Sequence, residues 1–289
     1  MAAIVEIDFL KLQACGNDYI VVDTFKNTII NSEAIPDMAA QITSRRFGVG
    51  AVALLLISQG GREKLRMLLY DPYGEQLQSD GLALRCLARY AFDSGLINSE
   101  TFRVESGNRS VQVEVLDSAN IMIDGEPPLG WPDGQVLSER SGQSFRRPIK
   151  LGSREINYTP VFIDVPHAVI FARDYGLDYP DIVQELEESA EFGEGTLISM
   201  VRVISREALS LRTWQVGLGE ILSSESAAYA AVTAAVLDGL ADRAVRVHLE
   251  GGNLLVEWLE RNNRFLASGP AEYVFMGTYY YEEAEEDED

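Results

Sequence analysis

Along most of the chain, apolar and polar positions alternate in short runs. The segments "FLKLQ", "YIVVDTF", "AVALLLIS", "KLRMLLYD", "FRVES", "SVQVEVL" and "NIMID" are bounded by Gly, Asp, Asn or Pro, the pattern of half-buried strands separated by turns. After residue 150 the same vocabulary returns in "EINYTPVFIDV", "AVIFARD", "LISMVRVIS", "ALSLRTWQV", "VRVHLEGGNLLVEWLE" and "EYVFMG". Helical spacing is confined to a few segments, at about 35–46, 81–94, 180–190 and 225–238. In the second of these, Leu82, Ala83, Cys86, Leu87, Tyr90 and Ala91 define one wide apolar face. The last is rich in Ala and apolar nearly all round, so it needs enclosure, as at the centre of a curved sheet.

Two of these helices are introduced in the same way. Each follows a strand, a turn containing Gly-Glu (Gly74-Glu75 and Gly219-Glu220) and a short link. Asp80 and Ser224 then stand at matching places, where the turn becomes helix. The repetition predicts an internal duplication: an α+β fold of two similar halves rather than one continuous domain. The Gly- and Pro-rich stretch "GEPPLGWPDG", 125–134, marks the crossing, giving domains over 1–124 and 125–267.

Charge narrows the functional classes. The formal net charge is -21, and the run Glu282 to Asp289 supplies seven of the negative charges, so residues 279–289 read as an acidic, disordered tail. The body is acidic as well, and the basic doublets Arg45-Arg46 and Arg146-Arg147 are isolated. Neither nucleic acid nor an anionic membrane is an expected partner. The first residues lack a secretory pattern, and no apolar run approaches the length of about 18 residues that a membrane span requires, so a cytoplasmic protein is expected. Two cysteines and two histidines make neither a disulfide framework nor a zinc cluster, so no metal is expected.

From "FLKLQACGNDYIVVD" (9–23) onward the chain resembles the diaminopimelate epimerases. The likeness runs through "RRFGVGA" (45–51), "YDPYGEQLQSDGLALRCLARYAFDSGL" (70–96), "VPHAVIFARD" (165–174), "EGTLISMVRVISREALSLRTW" (194–214), "GLGE" (217–220) and "SGPAEYVFMG" (268–277). The resemblance implies two pseudo-symmetric domains, each a curved, barrel-like mixed sheet around a central helix, with the active site in the cleft between them. A last strand, about 268–278, would return to the first domain, and two copies would pair through that domain. It also implies a cofactor-independent reaction. Two cysteines at the helix N-termini remove an α-proton from one face of an amino acid and return one on the other, helped by the helix dipoles.

Matched position by position, those cysteines fall on Asp80 and Ser224. A carboxylate at a helix N-terminus favours its ionised form and is a poor proton donor, and a serine without an adjacent base is poor in both roles. The matched binding positions depart too. Asn17 agrees with a family contact, but Leu82, Val165 and Leu197 each stand where the family has Asn, and Gln215-Val216 replaces a Glu-Arg pair. Gly81, Glu225 and Ser226 complete the set of candidate cleft positions. A zwitterion buried against this surface would leave charges unpaired.

Two function classes follow. In the first, Asp80 and Ser224 serve as helix caps, which Asp and Ser do well. The chain is then a non-catalytic binding, regulatory or scaffold protein, taking either a small apolar ligand in the cleft or a protein partner, with Tyr279-Tyr280-Tyr281 and the acidic tail as the candidate docking segment. In the second, Asp80 is the base of a cofactor-independent isomerase or lyase, or a residual epimerase activity survives. Cys15 and Cys86 read as buried apolar fillers, His167 as a residue that orients the local backbone, and His248 as a surface residue.

Overall fold

The computed structural model describes residues 4–27, 31–117, 120–125, 146–152, 154–173, 176 and 179–282. In chain order the elements are β1 (Ile4–Ala14), β2 (Asn17–Asp23), α1 (Ile35–Thr43), β3 (Ala53–Gln59), β4 (Leu65–Tyr70), β5 (Gln76–Leu77), α2 (Gly81–Asp93), β6 (Thr101–Ser106), β7 (Arg109–Val115) and β8 (Ile121–Gly125). There follow β9 (Arg147–Leu151), β10 (Arg154–Ile163), β11 (Val165–Phe171), α3 (Tyr179–Glu187), β12 (Leu197–Ser205), β13 (Ala208–Gln215), β14 (Gly219–Ile221) and α4 (Glu225–Leu237). The chain closes with β15 (Ala244–Leu249), β16 (Gly252–Leu259), β17 (Arg264–Gly269) and β18 (Glu272–Glu282).

The chain divides into two compact units, Met1–Ile123 with Gly269–Asp289, and Asp124–Ser268. Their strand topologies match element for element. In the first, β1–β2 is antiparallel, β2–β3 parallel across α1, β3–β4 antiparallel, β4–β6 parallel across α2, and β6–β7–β8 antiparallel. In the second, β10–β11, β11–β12, β12–β13, β13–β15 and β15–β16–β17 repeat that order and those directions. A parallel pair needs a crossover, and α1, α2, α3 and α4 supply them.

Each unit wraps one helix and carries another outside. In the first, α2 touches β1, β2, β3 and β7, whereas Ile35, Met38, Ala39 and Ile42 of α1 pack on Ile20, Val22, Leu54 and Leu56. In the second, α4 touches β10, β11, β12, β13 and β16, and Ala227 to Ala235 are buried without interruption. Val183 and Leu186 of α3 pack outside on Tyr158, Ile170, Ile198 and Met200. The Ala-rich sequence of α4 thus meets strands on several sides, which small side chains permit by allowing close approach.

The end of the chain differs from the expected tail. β18 continues through Tyr279, Tyr280 and Tyr281 to Glu282, paired antiparallel with β1 from Ile4↔Glu282 to Gln13↔Glu272. Tyr281 is buried and its hydroxyl donates to Asp37 Oδ2 at 3.0 Å. The tyrosines at odd positions face the core, so the triple belongs to the sheet and not to a solvated segment; residues 283–289 lie outside the described residues, as do 126–134 of the Gly/Pro-rich crossing.

Candidate functional site

The two matched positions cap their helices. Asp80 has extended backbone (φ -152°, ψ 122°), and its Oδ1 accepts from the N–H groups of Leu82 at 2.7 Å and Ala83 at 3.2 Å. These are donors that the first turn of a helix leaves unsatisfied. Its Oδ2 accepts from the Tyr19 hydroxyl at 2.9 Å. Tyr19 is fully buried, and burial, followed by the charge of Asp80, pushes its hydroxyl well above the ordinary tyrosine range. The phenol is therefore a fixed donor, and the Asn17 side chain hydrogen-bonds to it in turn. Asn17, Tyr19 and Asp80 form one chain ending on α2.

Ser224 repeats the backbone conformation (φ -145°, ψ 128°), and its Oγ accepts from Ala227 N–H at 3.2 Å and lies 3.1 Å from Ser226 Oγ. The next residue, Glu225, is a carboxylate only 7% exposed. It accepts a hydrogen bond from the Tyr229 hydroxyl, one helical turn on. Tyr229 stacks on Phe265 with centroids 4.4 Å apart, and Gly125 lies against its ring. Each central helix thus begins with a carboxylate held by a buried tyrosine, Asp80 with Tyr19 and Glu225 with Tyr229. The turns leading in also repeat: Gly74 and Gly219 take φ of +83° and +98°, a region that favours glycine.

The other sequence candidates are placed unevenly. Leu82 and Leu197 are buried, and Val216 packs with Trp214 against the cluster under α3. Leu197 lies between His167 on β11 and Gln215 on β13. Val165 opens β11, after Asp164 with φ of +59°. Gly81 and Ser226 are partly exposed in the first turns of their helices.

Cys86 is fully buried, and burial followed by the Asp80 charge raises its thiol well above the usual range. Cys15 is buried at φ +47° in the β1–β2 turn. His167 is buried with Nε2 3.1 Å from Ile163 O, and burial lowers it to about 4, so the ring is neutral near pH 7. His248 is partly exposed and bonded to Asn253 at 2.7 Å. Among the described residues no group of three His, Cys, Asp or Glu is placed to hold a metal ion, and no helix is long and apolar enough to cross a membrane.

Comparison with known proteins fixes the family. The diaminopimelate epimerase family model matches residues 9–129. The chain is 33% identical over 286 residues to the diaminopimelate epimerase of Pelotomaculum thermopropionicum, covering 94% of this chain and 99% of that one. This chain belongs to the diaminopimelate epimerase family. A second member, from Acetivibrio thermocellus, is 33% identical over 277 residues, covering 93% and 97%.

Solved structures show the same epimerase-family fold at low identity. A phenazine biosynthesis protein of the PhzF family from Enterococcus faecalis superposes with a TM-score of 0.69 at 16% identity, covering 96% of this chain and 100% of that one. A hydroxyproline epimerase from Agrobacterium vitis, with trans-4-hydroxy-L-proline bound, gives 0.66 at 12% identity, covering 98% and 95%. The sequence pointed to Asp80 and Ser224 through a local signature, a capping residue before an apolar run. It did not point to Tyr19 or to the Glu225–Tyr229 bond. Tyr19 lies 61 residues from Asp80, and Tyr229 reads as one more apolar residue of α4.

Proposed function

We propose that this chain is a non-catalytic member of the diaminopimelate epimerase family, in which the two proton-transfer positions have become helix caps and the protein serves in binding, regulation or scaffolding. The observation that carries this reading is the use of the Asp80 carboxylate: one oxygen is taken by two N–H groups of α2 and the other by Tyr19. A base must offer a lone pair to the substrate proton, and three donors already occupy three of the roughly four acceptor positions of this carboxylate, so its orientation is set by the cap and by Tyr19. Ser224 Oγ engages the Ser226 hydroxyl and the Ala227 amide, neither of which is a base, and an unactivated hydroxyl does not exchange protons with a carbon acid. The family reaction needs two groups of matched acidity, and an aspartate with a serine is not such a pair.

Within this reading two copies associate through the first unit, the ligand or protein partner is not diaminopimelate held as a zwitterion, and the protein works in the cytoplasm. A stereochemical assay tests the loss of epimerase activity. LL-diaminopimelate incubated with the full chain stays LL on a chiral column. Formation of the meso isomer that persists through purification and disappears in Asp80→Asn contradicts the reading.

A further inference from the structure

The second unit contains a cavity of about 350 Å³ where two strands part. β10 pairs with β11 only from Thr159↔Val169 to Ile163↔Val165. From Tyr158 back to Arg154 it pairs with β9 instead, while Ile170 and Phe171 continue beside β12. The cavity occupies this fork. Ile156, Ile170, Ile182 and Met200 supply apolar wall, and Glu155 and Asn157, both exposed, stand on the β10 side.

Two observations mark it as more than a packing gap. Thr159 lines it, and its buried hydroxyl has no hydrogen-bond partner among the described residues. Buried polar groups are nearly always satisfied, so an unmet one in a cavity wall points to a polar occupant. Arg146 also lines it, anchored by Nε to Asp238 Oδ2 at 2.9 Å and lying 5.5 Å from the centroid of the Phe171 ring. Asp238 caps the C-terminal end of α4, whereas Ser224 caps its N-terminal end. A helix of 13 residues separates the two by about 20 Å, so this cavity is distinct from the family's proton-transfer position.

We propose that the cavity binds a free α-amino acid with an apolar side chain. Its volume lies at the small end of the range for metabolite sites. Charges of both signs flank an apolar floor, which selects against the simpler ligand classes. A phosphate or polycarboxylate would meet one guanidinium already tied to Asp238 and would face Glu155. A hydrocarbon would leave the buried Thr159 hydroxyl unmet. A zwitterion sets its carboxylate toward Arg146 and Asn157, its ammonium toward Glu155, and its side chain on Ile156, Ile170 and Met200. This assignment stands independently of the reading of Asp80 and Ser224.

Isothermal titration calorimetry of the full chain with L-leucine, L-methionine and L-phenylalanine tests it, with 4-methylpentanoate and isoamylamine as singly charged analogues. Saturable binding of at least one amino acid is expected, with both analogues weaker by about tenfold or more. Binding is lost in Ala172→Trp, which fills the cavity, and is weakened by Glu155→Lys at an exposed position that does not endanger folding; it is unchanged in Ser224→Ala. Absence of saturable heat with all three amino acids at millimolar concentration overturns the proposal. So does binding that survives both cavity substitutions, or isoamylamine binding as tightly as leucine.

Discussion

A carboxylate holds the first turn of α2 and a hydroxyl that of α4, but what stands behind each cap differs. Ser224→Ala removes one acceptor and is expected to cost about 1 kcal/mol. Asp80→Ala removes the cap and also leaves the buried Tyr19 hydroxyl without this acceptor, adding about 1–3 kcal/mol, whereas Asp80→Asn retains the cap. Urea denaturation of the three variants should therefore rank Asp80→Ala as the most destabilised. His167 gives a pH signature. Its ring is lowered to about 4 in the fold, against about 6.5 in an unfolded chain, so between these values the unfolded state binds more protons. Stability therefore falls as pH drops from about 6.5 toward 4. Denaturation midpoints measured across that window should flatten in His167→Gln. Caps are legible in sequence because they depend on neighbours two and three residues away. The Tyr19 and His167 environments depend on strands brought together by the fold and are not.

At the scale of elements, the long strands and helices α1, α2 and α3 show as periodic runs and α4 as an Ala-rich run apolar nearly all round, and the helix ends fall within a few residues of the sequence reading. The strands that escape notice are β5, β9, β14 and β17. β5 has two residues and β14 three, too few to show alternation, and β9 contains Arg147, Pro148 and Lys150. The length of β18 was also hidden, because Tyr279 to Tyr281 adjoin an acidic run and read with it; only pairing with β1 separates them. A deletion meant to remove the tail should thus begin at residue 283. The packing of α4 leads to a sharper expectation. A Cβ on Gly125 would lie 2.5 Å from the Tyr229 hydroxyl oxygen and 2.8 Å from ring carbons. Gly125→Ala must displace the ring stacked on Phe265 and is expected to cost about 1–3 kcal/mol, measured as a lowered thermal midpoint.

For the whole molecule, the duplicated topology explains why two helix N-termini carry matching positions, Asp80 and Ser224. For the dimer proposed above, the first unit has a candidate surface. On the outer face of β1 and β18, Ile4, Val274, Met276 and Tyr280 are exposed, Met276 at 77% and Tyr280 at 62%. Exposed apolar residues grouped on a sheet mark an interaction site. Sedimentation velocity should show a dimer that Met276→Glu converts to monomer, and a monomeric native chain would refute that interface. Catalysis is the central question. Deuterium exchange at the α-carbon, followed by proton NMR in heavy water with LL- and meso-diaminopimelate, common amino acids and 2-hydroxy or unsaturated acids, addresses it most directly. The account predicts no exchange above a protein-free control. Exchange that the native chain supports and Asp80→Asn abolishes would contradict it, making Asp80 a working base rather than a cap.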